Sequence, residues 1–377
     1  MLVVTDKFAP HAGGTAVLWS NWCNNWDASA FTVITSRYSN SSDYDGRLSY
    51  RIIRASYLDV PKIRMPHLWF NLFLRCVSEC RRGQDLLHSA QILETGLYAP
   101  WIKRRYGTRY IVHTYGEELK VYSRNPRLLK RMQSILRSAD AVTAVSSSTA
   151  GILRTVIGYS GEVTVVYPGV DTLRFAPGNG GDIRSRMGLP EGPLLLTASR
   201  LMQRKGIDTV LAAMPSILAK YPQTHYVIAG TGPDEMRLRQ LVKAAGLQSK
   251  VTFTGRVSDE DMVLLMQAAH AFVMPNRELA NGDIEGFGIV FLEANACGTP
   301  VIGGNSGGAP EAINDGVSGY VVDSSSLEQL REKVCDLLSD SDLRASMSQS
   351  AIGWATEFTW KRSADIVWEL SQQVIHR

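Results

Sequence analysis

The stretch NGDIEGFGIVFLEANACGTPVIGG, residues 281–304, indicates how the second half of the chain folds. Its Gly-Phe-Gly turn precedes an apolar segment that predicts a helix starting near Gly288, and a Cys-Gly break then leads into a short apolar strand. Glu285 lies before this predicted helix and Glu293 lies inside it. Because an offset of eight residues leaves two side chains roughly 80° apart on a helix, these acids do not form a two-carboxylate site facing one bond.

The start of this predicted helix is suited to binding an anion. The first backbone N–H groups of a helix lack partners, and the helix dipole favours negative charge there. A phosphate on these N–H groups, with carboxylates reaching for flanking hydroxyls, is the arrangement that a sugar nucleotide requires. The alternative interpretation is an ordinary strand–loop–helix unit that carries two surface acids.

Length and composition predict a two-domain globular protein. The chain has 377 residues, with 45% hydrophobic and 20% charged residues. No apolar run approaches the ~20 residues that cross a bilayer. The chain opens directly on a strand-like Met1-Leu-Val-Val-Thr5 rather than a secretory leader, so we expect a cytoplasmic location. Five scattered cysteines, an odd number, predict free buried thiols in a reducing compartment.

Positive charge is concentrated in the first half of the chain. Residues 1–175 carry 22 Lys and Arg against 13 Asp and Glu, whereas residues 176–377 carry 18 against 23. Much of the excess falls on predicted helices, at Arg75, Arg81, Arg82, Lys103, Arg104, Arg105, Arg124, Arg127, Lys130, Arg131 and Arg137. With apolar neighbours such as Trp69 and Phe70, these residues suggest peripheral contact with an anionic membrane or acceptor; the alternative is solvated helix faces. No recognition module for nucleic acid is present in the sequence, and no feature indicates an oligomeric state.

Apolar strand-like runs alternate with helical segments, which predicts the α/β class with parallel sheets. The predicted strands are residues 2–5, 31–36, 51–54, 85–88, 109–115, 141–145, 163–167, 194–198, 225–229, 251–254, 271–274, 300–302 and 320–322. A Pro- and Gly-rich break at residues 168–181 separates the two series. We therefore expect two Rossmann-like domains, residues 1–168 and 169–358, facing across a cleft. Ligands of such sheets bind at the carboxyl ends of the strands.

Several loops at predicted strand ends are suited to phosphate. Gly13 and Gly14 open the first helix, where absent side chains let a ligand approach the backbone, although a tight turn also uses glycine. Arg200 and Lys205 lie in the loop after strand 194–198, where two cations can close on a diphosphate. Arg204 is a third cation whose position the sequence leaves open. The alternative for this loop is a basic surface turn.

Other candidates follow neighbouring strands. Gly230 ends one strand, and Arg256 and Val257 end another, where they are placed to line a nucleotide base and phosphate or to form ordinary turns. His113 lies near the end of strand 109–115. A histidine there is suited to accept a hydroxyl proton or to bind a sugar hydroxyl, and its alternative is a structural role.

Acidic clusters do not predict a metal site. Asp259-Glu-Asp261 has the Asp-x-Asp form of metal-dependent sugar transferases, but it follows Ser258 at a predicted helix start, where acids compensate the dipole. The pairs at residues 43–45 and 340–342 fall in predicted loops. We therefore expect no metal and no cofactor, so that Arg200, Lys205 and the helix dipole neutralise the diphosphate.

Together, Gly13-Gly14, the Arg200/Lys205 loop and Glu285-x7-Glu293 resemble the retaining glycosyltransferases of family 4, which have the GT-B fold. The resemblance covers essentially the whole chain. The segments at residues 283–288 and 308–311 look like those of bacterial mannosyl- and glucosyltransferases of this family. In such a fold the final helical segment, residues 359–377, would pack back on the first domain.

The resemblance implies a role for each candidate. Glu293 would bind the ribose hydroxyls, and Glu285 would lie near the donor sugar. The remaining donor-binding positions implied are Gly13, Gly14, Arg200, Lys205, Gly230, Arg256, Val257, Phe287, Gly288 and Ile289. Backbone amides of the last three would bind the diphosphate or sugar, and Arg200 and Lys205 would stabilise the departing phosphate. One departure concerns His113, because many members carry histidine where this chain has Tyr115.

The implied reaction is transfer of a hexose from a nucleoside diphosphate sugar to an acceptor hydroxyl, with retained anomeric configuration and without a metal. The product would be a glycolipid, a polysaccharide or a glycosylated metabolite. Donors of the UDP-glucose and GDP-mannose types both remain open. Alternatives are a nucleotide-sugar epimerase or sugar phosphorylase on a similar fold, and a non-catalytic protein that binds anionic glycolipid.

Overall fold

The computed structural model describes residues 1–11, 13–38, 40–56 and 64–377. The chain divides into two compact units. Unit 1 comprises Met1–Gly169 and Trp360–Arg377, and unit 2 comprises Val170–Thr359. The last helix therefore belongs to the unit that begins the chain.

Each unit contains one parallel sheet flanked by helices. The strands are β1 (Leu2–Val4), β2 (Thr32–Ser36), β3 (Arg51–Ala55), β4 (Leu86–Ser89), β5 (Arg109–Thr114), β6 (Ala141–Ala144), β7 (Thr164–Val165), β8 (Leu194–Ala198), β9 (His225–Ala229), β10 (Val251–Gly255), β11 (Ala271–Met274), β12 (Val301–Gly304) and β13 (Gly319–Val322). Their order is β3-β2-β1-β4-β5-β6-β7 in unit 1 and β10-β9-β8-β11-β12-β13 in unit 2. The predicted α/β class is confirmed.

The helices account for most of the remaining regular structure. They are α1 (Gly14–Asn24), α2 (Ser41–Asp45), α3 (Arg64–Cys80), α4 (Ala99–Tyr106), α5 (Glu117–Ser123), α6 (Pro126–Ser138), α7 (Ser147–Thr155), α8 (Ile183–Met187), α9 (Ile207–Lys220), α10 (Glu235–Ala244), α11 (Asp259–Ala268), α12 (Ile289–Ala296), α13 (Leu327–Ser339), α14 (Ser341–Thr356) and α15 (Trp360–His376). No helix of the described residues is long and apolar enough to cross a bilayer.

Both faces of the unit 2 sheet are buried, because a strand directs successive side chains to opposite faces. Leu194 and Leu196 of β8 pack in one apolar cluster with Phe272 of β11. Leu195 lies between them and packs in a second cluster with Val273. Continuous apolar strands of this kind carry no chemistry themselves, so the site residues lie on the loops at their ends.

The last helix is fixed to unit 1 by buried hydrogen bonds. The indole Nε1 of Trp22 donates to Ser363 Oγ at 2.7 Å, and that of Trp26 donates to the carbonyl of Ala364 at 3.0 Å. Near the helix end, Arg109 Nη1 donates to the carbonyl of Ile375 at 2.7 Å. These contacts join residues more than 260 positions apart in sequence and make α15 part of the unit 1 core.

The five cysteines are all buried thiols, as predicted. Burial raises the pKa of Cys23 and Cys297, the latter to about 12, so both remain protonated at neutral pH.

Candidate active site

The loop after β8 holds two cations in a buried position. A short 3₁₀ turn, Gln203–Lys205, ends at Gly206, which starts α9 with φ of 71°. A Cβ at Gly206 would lie 2.1 Å from the carbonyl oxygen of Pro275, so a larger residue would displace this loop from β11. The turn thereby directs Arg204 and Lys205 inward, whereas Arg200 is exposed.

These two cations meet the acids of the 281–304 stretch. Lys205 Nζ lies 2.5 Å from Glu285 Oε2, and Arg204 Nη1 lies 2.9 Å from the same oxygen. Arg204 Nε lies 2.8 Å from Asp283 Oδ1. Each of the four side chains is at most 12% exposed. Arg204, Lys205, Asp283 and Glu285 form a four-residue ion-pair cluster, the Glu285 network.

The charges of the Glu285 network are strongly coupled. Burial pushes the pKa of Glu285 upward, but Lys205 and Arg204 outweigh it and hold the pKa at about 2. Burial lowers the pKa of Lys205, which Glu285 partly opposes, and burial raises the pKa of Asp283. Glu285 is therefore anionic at neutral pH. Arg204 and Lys205 are both paired with Glu285, so Lys205 contacts a carboxylate instead of solvent.

Two glycines, Gly288 and Gly307, hold the start of α12 next to the Glu285 network. Gly288 caps the helix with φ of 93°, and a Cβ there would lie 2.7 Å from the ring of Phe291. Gly307, which the sequence interpretation did not single out, has φ of 63° and a Cβ position 2.1 Å from the carbonyl oxygen of Glu285. Gly308 N donates to that oxygen at 2.9 Å. The pair Gly307-Gly308, which follows the predicted strand 300–302, was the sequence signal that could have indicated this close backbone contact.

Glu293 differs from Glu285 in having no ion pair with a described residue. Its carboxylate lies inside α12, one to two turns from Gly288, and accepts no hydrogen bond from a described residue. Burial raises its pKa to about 7, with a lowering effect from Arg174 and a raising effect from Asp259. The group can therefore exchange hydrogen bonds with hydroxyls either as an acceptor or, when protonated, as a donor.

The other predicted positions of unit 2 have mixed environments. Gly230 has φ of 128°, and a Cβ there would lie 2.0 Å from the carbonyl oxygen of Ser199, so packing alone requires glycine. Arg256 is exposed and Val257 is half-buried. Phe287 and Gly288 are buried, which leaves backbone rather than side chain available at the helix start.

In unit 1, Gly13 and Gly14 lie at the exposed start of α1. A Cβ added at either position would meet no described atom within 4 Å, so nearby packing does not explain the pair. Gly13 has φ of 148°, which favours glycine.

The structure favours the structural alternative for His113. Its ring is 1% exposed and bonded at both nitrogens, to Thr143 Oγ1 at 2.8 Å and to His88 Nδ1 at 3.1 Å. Burial lowers its pKa well below the usual range, so it stays neutral. Tyr115 faces the same way, as strand alternation predicts, and its hydroxyl accepts from Trp19 Nε1 at 2.8 Å. That face is covered by α1, which the sequence did not reveal.

The acidic triplet at the start of α11 serves the helix and its neighbours. Ser258 Oγ accepts from the backbone N–H of Asp261 at 3.0 Å, as the capping interpretation predicted. Asp259 pairs with Arg174 at 3.2 Å, and Asp261 pairs with Arg186. Within the described ranges, no group of three or more His, Cys, Asp or Glu is placed to hold a metal ion.

Comparison with known proteins identifies the family. A family model described as Glycosyltransferase Family 4 matches residues 12–174, and one described as Glycosyl transferases group 1 matches residues 182–354. A GDP-mannose-dependent alpha-(1-6)-phosphatidylinositol monomannoside mannosyltransferase of Mycolicibacterium smegmatis is 33% identical, across 96% of this chain and 95% of its own. The chain belongs to glycosyltransferase family 4. The resemblance inferred from the sequence is confirmed.

Further relatives of this glycosyltransferase agree. A GDP-mannose-dependent monoacylated alpha-(1-6)-phosphatidylinositol monomannoside mannosyltransferase of Corynebacterium glutamicum is 31% identical, across 97% of each chain. Among solved structures, sucrose-phosphate synthase from Thermosynechococcus elongatus has a TM-score of 0.82 at 22% identity, over 100% of this chain and 98% of its own. Anabaena HepE in complex with UDP-glucose has a TM-score of 0.83 at 18% identity, over 99% of each. These two structures show the GT-B fold alone.

The contrast between the two glutamates of this glycosyltransferase can be tested by stability. The folded-state pKa of Glu293, about 7, lies above its unfolded value of about 4.3. Protonation of Glu293 therefore contributes a stabilisation that is fully present below about pH 4.3 and is lost as the pH rises through about 7. Glutamine cannot ionise. We expect the free energy of unfolding of Glu293→Gln, relative to the parent, to increase by about 1–3 kcal/mol between about pH 5 and pH 8 in denaturant titrations.

Glu285→Gln is the matched comparison, and we expect it to lower the free energy of unfolding relative to the parent. It removes the carboxylate that pairs with Lys205 and leaves Arg204 paired with Asp283 alone, so we expect a loss of about 3–5 kcal/mol at neutral pH. A Glu293→Gln difference that does not change with pH would contradict the assigned environment of Glu293.

Proposed function

We propose that this family 4 glycosyltransferase transfers mannose from GDP-mannose to a hydroxyl of a glycolipid headgroup, with retained anomeric configuration and without a metal. The observation that carries the proposal is the Glu285 network lying next to the glycine-capped start of α12, with Glu293, which has no ion pair with a described residue, farther along the same helix. Cations, the N–H groups of a helix start and a carboxyl group that can bind hydroxyls are the three parts that a nucleoside diphosphate sugar needs.

The choice of donor rests on the relatives. Those that match across almost the whole chain are named as GDP-mannose-dependent enzymes. The solved neighbour that holds UDP-glucose is only 18% identical, so it supports the fold and not the donor. GDP-mannose is therefore proposed over the UDP-glucose type that the sequence left open.

The proposed roles follow from exposure and pairing. Glu293 binds ribose hydroxyls, and the backbone N–H groups from Phe287 to Ile289 face the diphosphate or sugar. Arg200, exposed and with no ion pair to a described residue, moves onto the diphosphate when the donor binds. Lys205 and Arg204 keep Glu285 ionised beneath the donor sugar. Contact of the nucleotide base with Arg256 and Val257 stays a prediction. Contact of the phosphate with Gly13 and Gly14 also stays a prediction.

In the proposed mechanism the protein contributes position and charge rather than a strong base. The acceptor hydroxyl approaches the anomeric carbon from the face that the diphosphate leaves. A new carbon–oxygen bond forms as the bond to the diphosphate breaks, and a diphosphate oxygen takes the hydroxyl proton. Arg200 and the helix N–H groups stabilise the negative charge that accumulates on the departing GDP. His113 takes no part, because its ring is enclosed.

Arg200→Ala tests the donor site without disturbing the fold. Because Arg200 is exposed, we expect unchanged thermal stability together with a loss of roughly 30-fold or more in kcat/KM, from one charge-assisted contact to the diphosphate. Lys243→Ala, an exposed cation on α10, is the matched control and should transfer mannose like the parent. Equal turnover of GDP-mannose by both variants would show that Arg200 does not contribute to the donor site.

The stereochemical and metal proposals share one assay. Nuclear magnetic resonance of the first product formed should show the same anomeric configuration as the donor, because the nucleophile enters on the leaving-group face. Transfer should continue at an unchanged rate in excess chelator, because Arg200 and the helix start supply the positive charge. An inverted product, or activity that stops with chelator and returns with a divalent cation, would refute the respective proposal.

Peripheral membrane contact is proposed for an apolar and basic surface of α3 and α4. Phe70 and Leu74 are 57% and 46% exposed on α3, and Trp101 is 48% exposed on α4. Phe73 connects the helices, with its ring centroid 5.5 Å from that of Trp101. Exposed cations accompany these residues at Arg75, Arg81, Arg82, Arg104 and Arg105. An amphipathic surface of this composition suits the interface of an anionic bilayer.

Vesicle sedimentation tests this surface. We expect the parent to bind vesicles rich in anionic lipid more strongly than zwitterionic vesicles, with binding reduced by salt because part of the attraction is electrostatic. The double variant Phe70→Ser/Leu74→Ser should lose about tenfold in partitioning through lost apolar burial. Leu173→Ser, at a 94% exposed leucine of unit 2, is the control and should bind as before. Equal loss in both would show that the α3–α4 surface is not the contact.

A further inference from the structure

Pro275, Asn276 and Arg277 follow β11 directly and are called the 275–277 segment. In the sheet of unit 2, β11 lies between β8 and β12, and all three strands are parallel. Because parallel strands carry their following loops at the same edge, the 275–277 segment lies between the loop after β8 and the loop after β12. It is therefore placed to contact the turn that carries Arg204 and Lys205.

The backbone of the 275–277 segment contacts this turn at two points. The backbone N–H of Arg277 donates to the carbonyl of Arg204 at 2.8 Å. The carbonyl oxygen of Pro275 packs against Gly206, where a Cβ would lie only 2.1 Å from it. The turn is thus packed directly on the 275–277 backbone.

The side chain of Arg277 adds a third attachment, at the start of α9. Its Nη1 and Nη2 donate to Asp208 Oδ1 and Oδ2, both at 2.8 Å, and Nη1 also donates to Thr209 Oγ1 at 3.1 Å. A bidentate pair of this kind fixes orientation as well as distance. Lys205 lies between Arg204 and Asp208, so Arg277 attaches the chain on both sides of Lys205.

The Arg277–Asp208 pair is partly shielded from solvent and well compensated. The side chain of Asp208 is 20% exposed and that of Arg277 is 25% exposed. Burial raises the pKa of Asp208, but Arg277 and Arg237 outweigh it and lower the pKa below its usual range, so this carboxylate is ionised at neutral pH. Arg237 donates to Asp208 Oδ2 at 3.1 Å, but it lies on α10 and so joins Asp208 to a different helix.

The 275–277 segment also attaches to the loop after β12, which contacts Glu285. Asn276 is fully buried; its Oδ1 accepts from the N–H of Gly304 at 3.2 Å, and its Nδ2 donates to the carbonyl of Ser306 at 3.0 Å. Farther along that loop, the N–H of Gly308 donates to the carbonyl of Glu285 at 2.9 Å. The segment therefore connects to both sides of the Glu285 network.

We propose that Arg277 is a positioning residue of the donor site, whose bidentate pair with Asp208 holds the turn of Arg204 and Lys205 against Glu285. This inference rests on the proposed transferase function and adds to it a residue that acts through the turn rather than on the donor. Without the pair, the 275–277 backbone is free to shift and the turn shifts with it. A misplacement of about 1 Å can lower a reaction rate about 100-fold, so a small shift is measurable in catalysis.

Kinetics of full-length variants test this role, at a temperature at which each variant is folded. Arg277→Gln and Asp208→Asn should each lower kcat/KM for GDP-mannose by roughly tenfold or more, and the double variant should lose no more than about threefold beyond either, because one change already removes the pair. Arg277→Lys keeps the charge, which favours folding, but should show the same loss because lysine cannot form a bidentate pair.

Arg237→Gln is the matched control. It removes an arginine from the same carboxylate but leaves the Arg277–Asp208 pair in place, so kcat/KM should change by less than about twofold. Amide hydrogen exchange of the protein without donor measures the attachment apart from turnover. Peptides that cover residues 203–208 should exchange faster than in the parent in Arg277→Gln and Asp208→Asn, and at the parent's rate in Arg237→Gln.

Lower thermal stability of Arg277→Gln and Asp208→Asn with parent-like kcat/KM would show a purely structural pair and overturn the proposal. Parent-like hydrogen exchange over residues 203–208 in both variants would also overturn it. So would calorimetry in which GDP binding is weakened by Arg277→Gln and not by Asp208→Asn, because Arg277 would then contact the donor itself. A parent that does not turn over GDP-mannose, with the expected exchange pattern, would refute the proposed function and leave the attachment of the turn standing.

Discussion

Pairing of Glu285 with Arg204 and Lys205 constrains the whole of the candidate donor site. A carboxylate and two cations that are each at most 12% exposed are tolerated only together, because removing one partner leaves a charge less compensated in a medium that solvates it poorly. The pairing ties the loop after β8 to the loop before α12, which lie about 80 residues apart in sequence. Both loops are held by backbone contacts that only glycine permits, at Gly206 and Gly307. Charge and backbone geometry therefore support each other.

The two glutamates illustrate how environment divides one chemical group into two roles. Glu285 is surrounded by cations, so its pKa is held at about 2 and it is a fixed negative charge. Glu293 is half-buried and makes no hydrogen bond with a described residue, and burial raises its pKa to about 7. Eight positions along the chain separate these conditions. A fixed charge keeps its neighbours ordered, and an unpartnered group gains most from binding hydroxyls.

Unit 1 shows the same division between enclosed and available polar groups. His88 and His113 bond to each other under α1 and are neutral, so their polar atoms are used by the fold. Asp6 and Gln91 have buried oxygens that the described residues leave unmatched. Histidine, the residue type more often linked to catalysis, is here the structural one. The acids and amides at the strand ends are the groups with unused bonding capacity.

By itself the sequence determined the parallel α/β class, the positions of the strands and the start of α12 near Gly288, because hydrophobic periodicity and glycine placement are local properties of the chain. The spacing of Glu285, Glu293 and the basic loop suggested the family, and the family models that match residues 12–174 and 182–354 agree with it. Tertiary structure alone decided that Arg204 pairs with Glu285 and that α1 covers His113. Those outcomes depend on which loops and helices meet after folding, and side-chain partners far apart in sequence leave no local pattern.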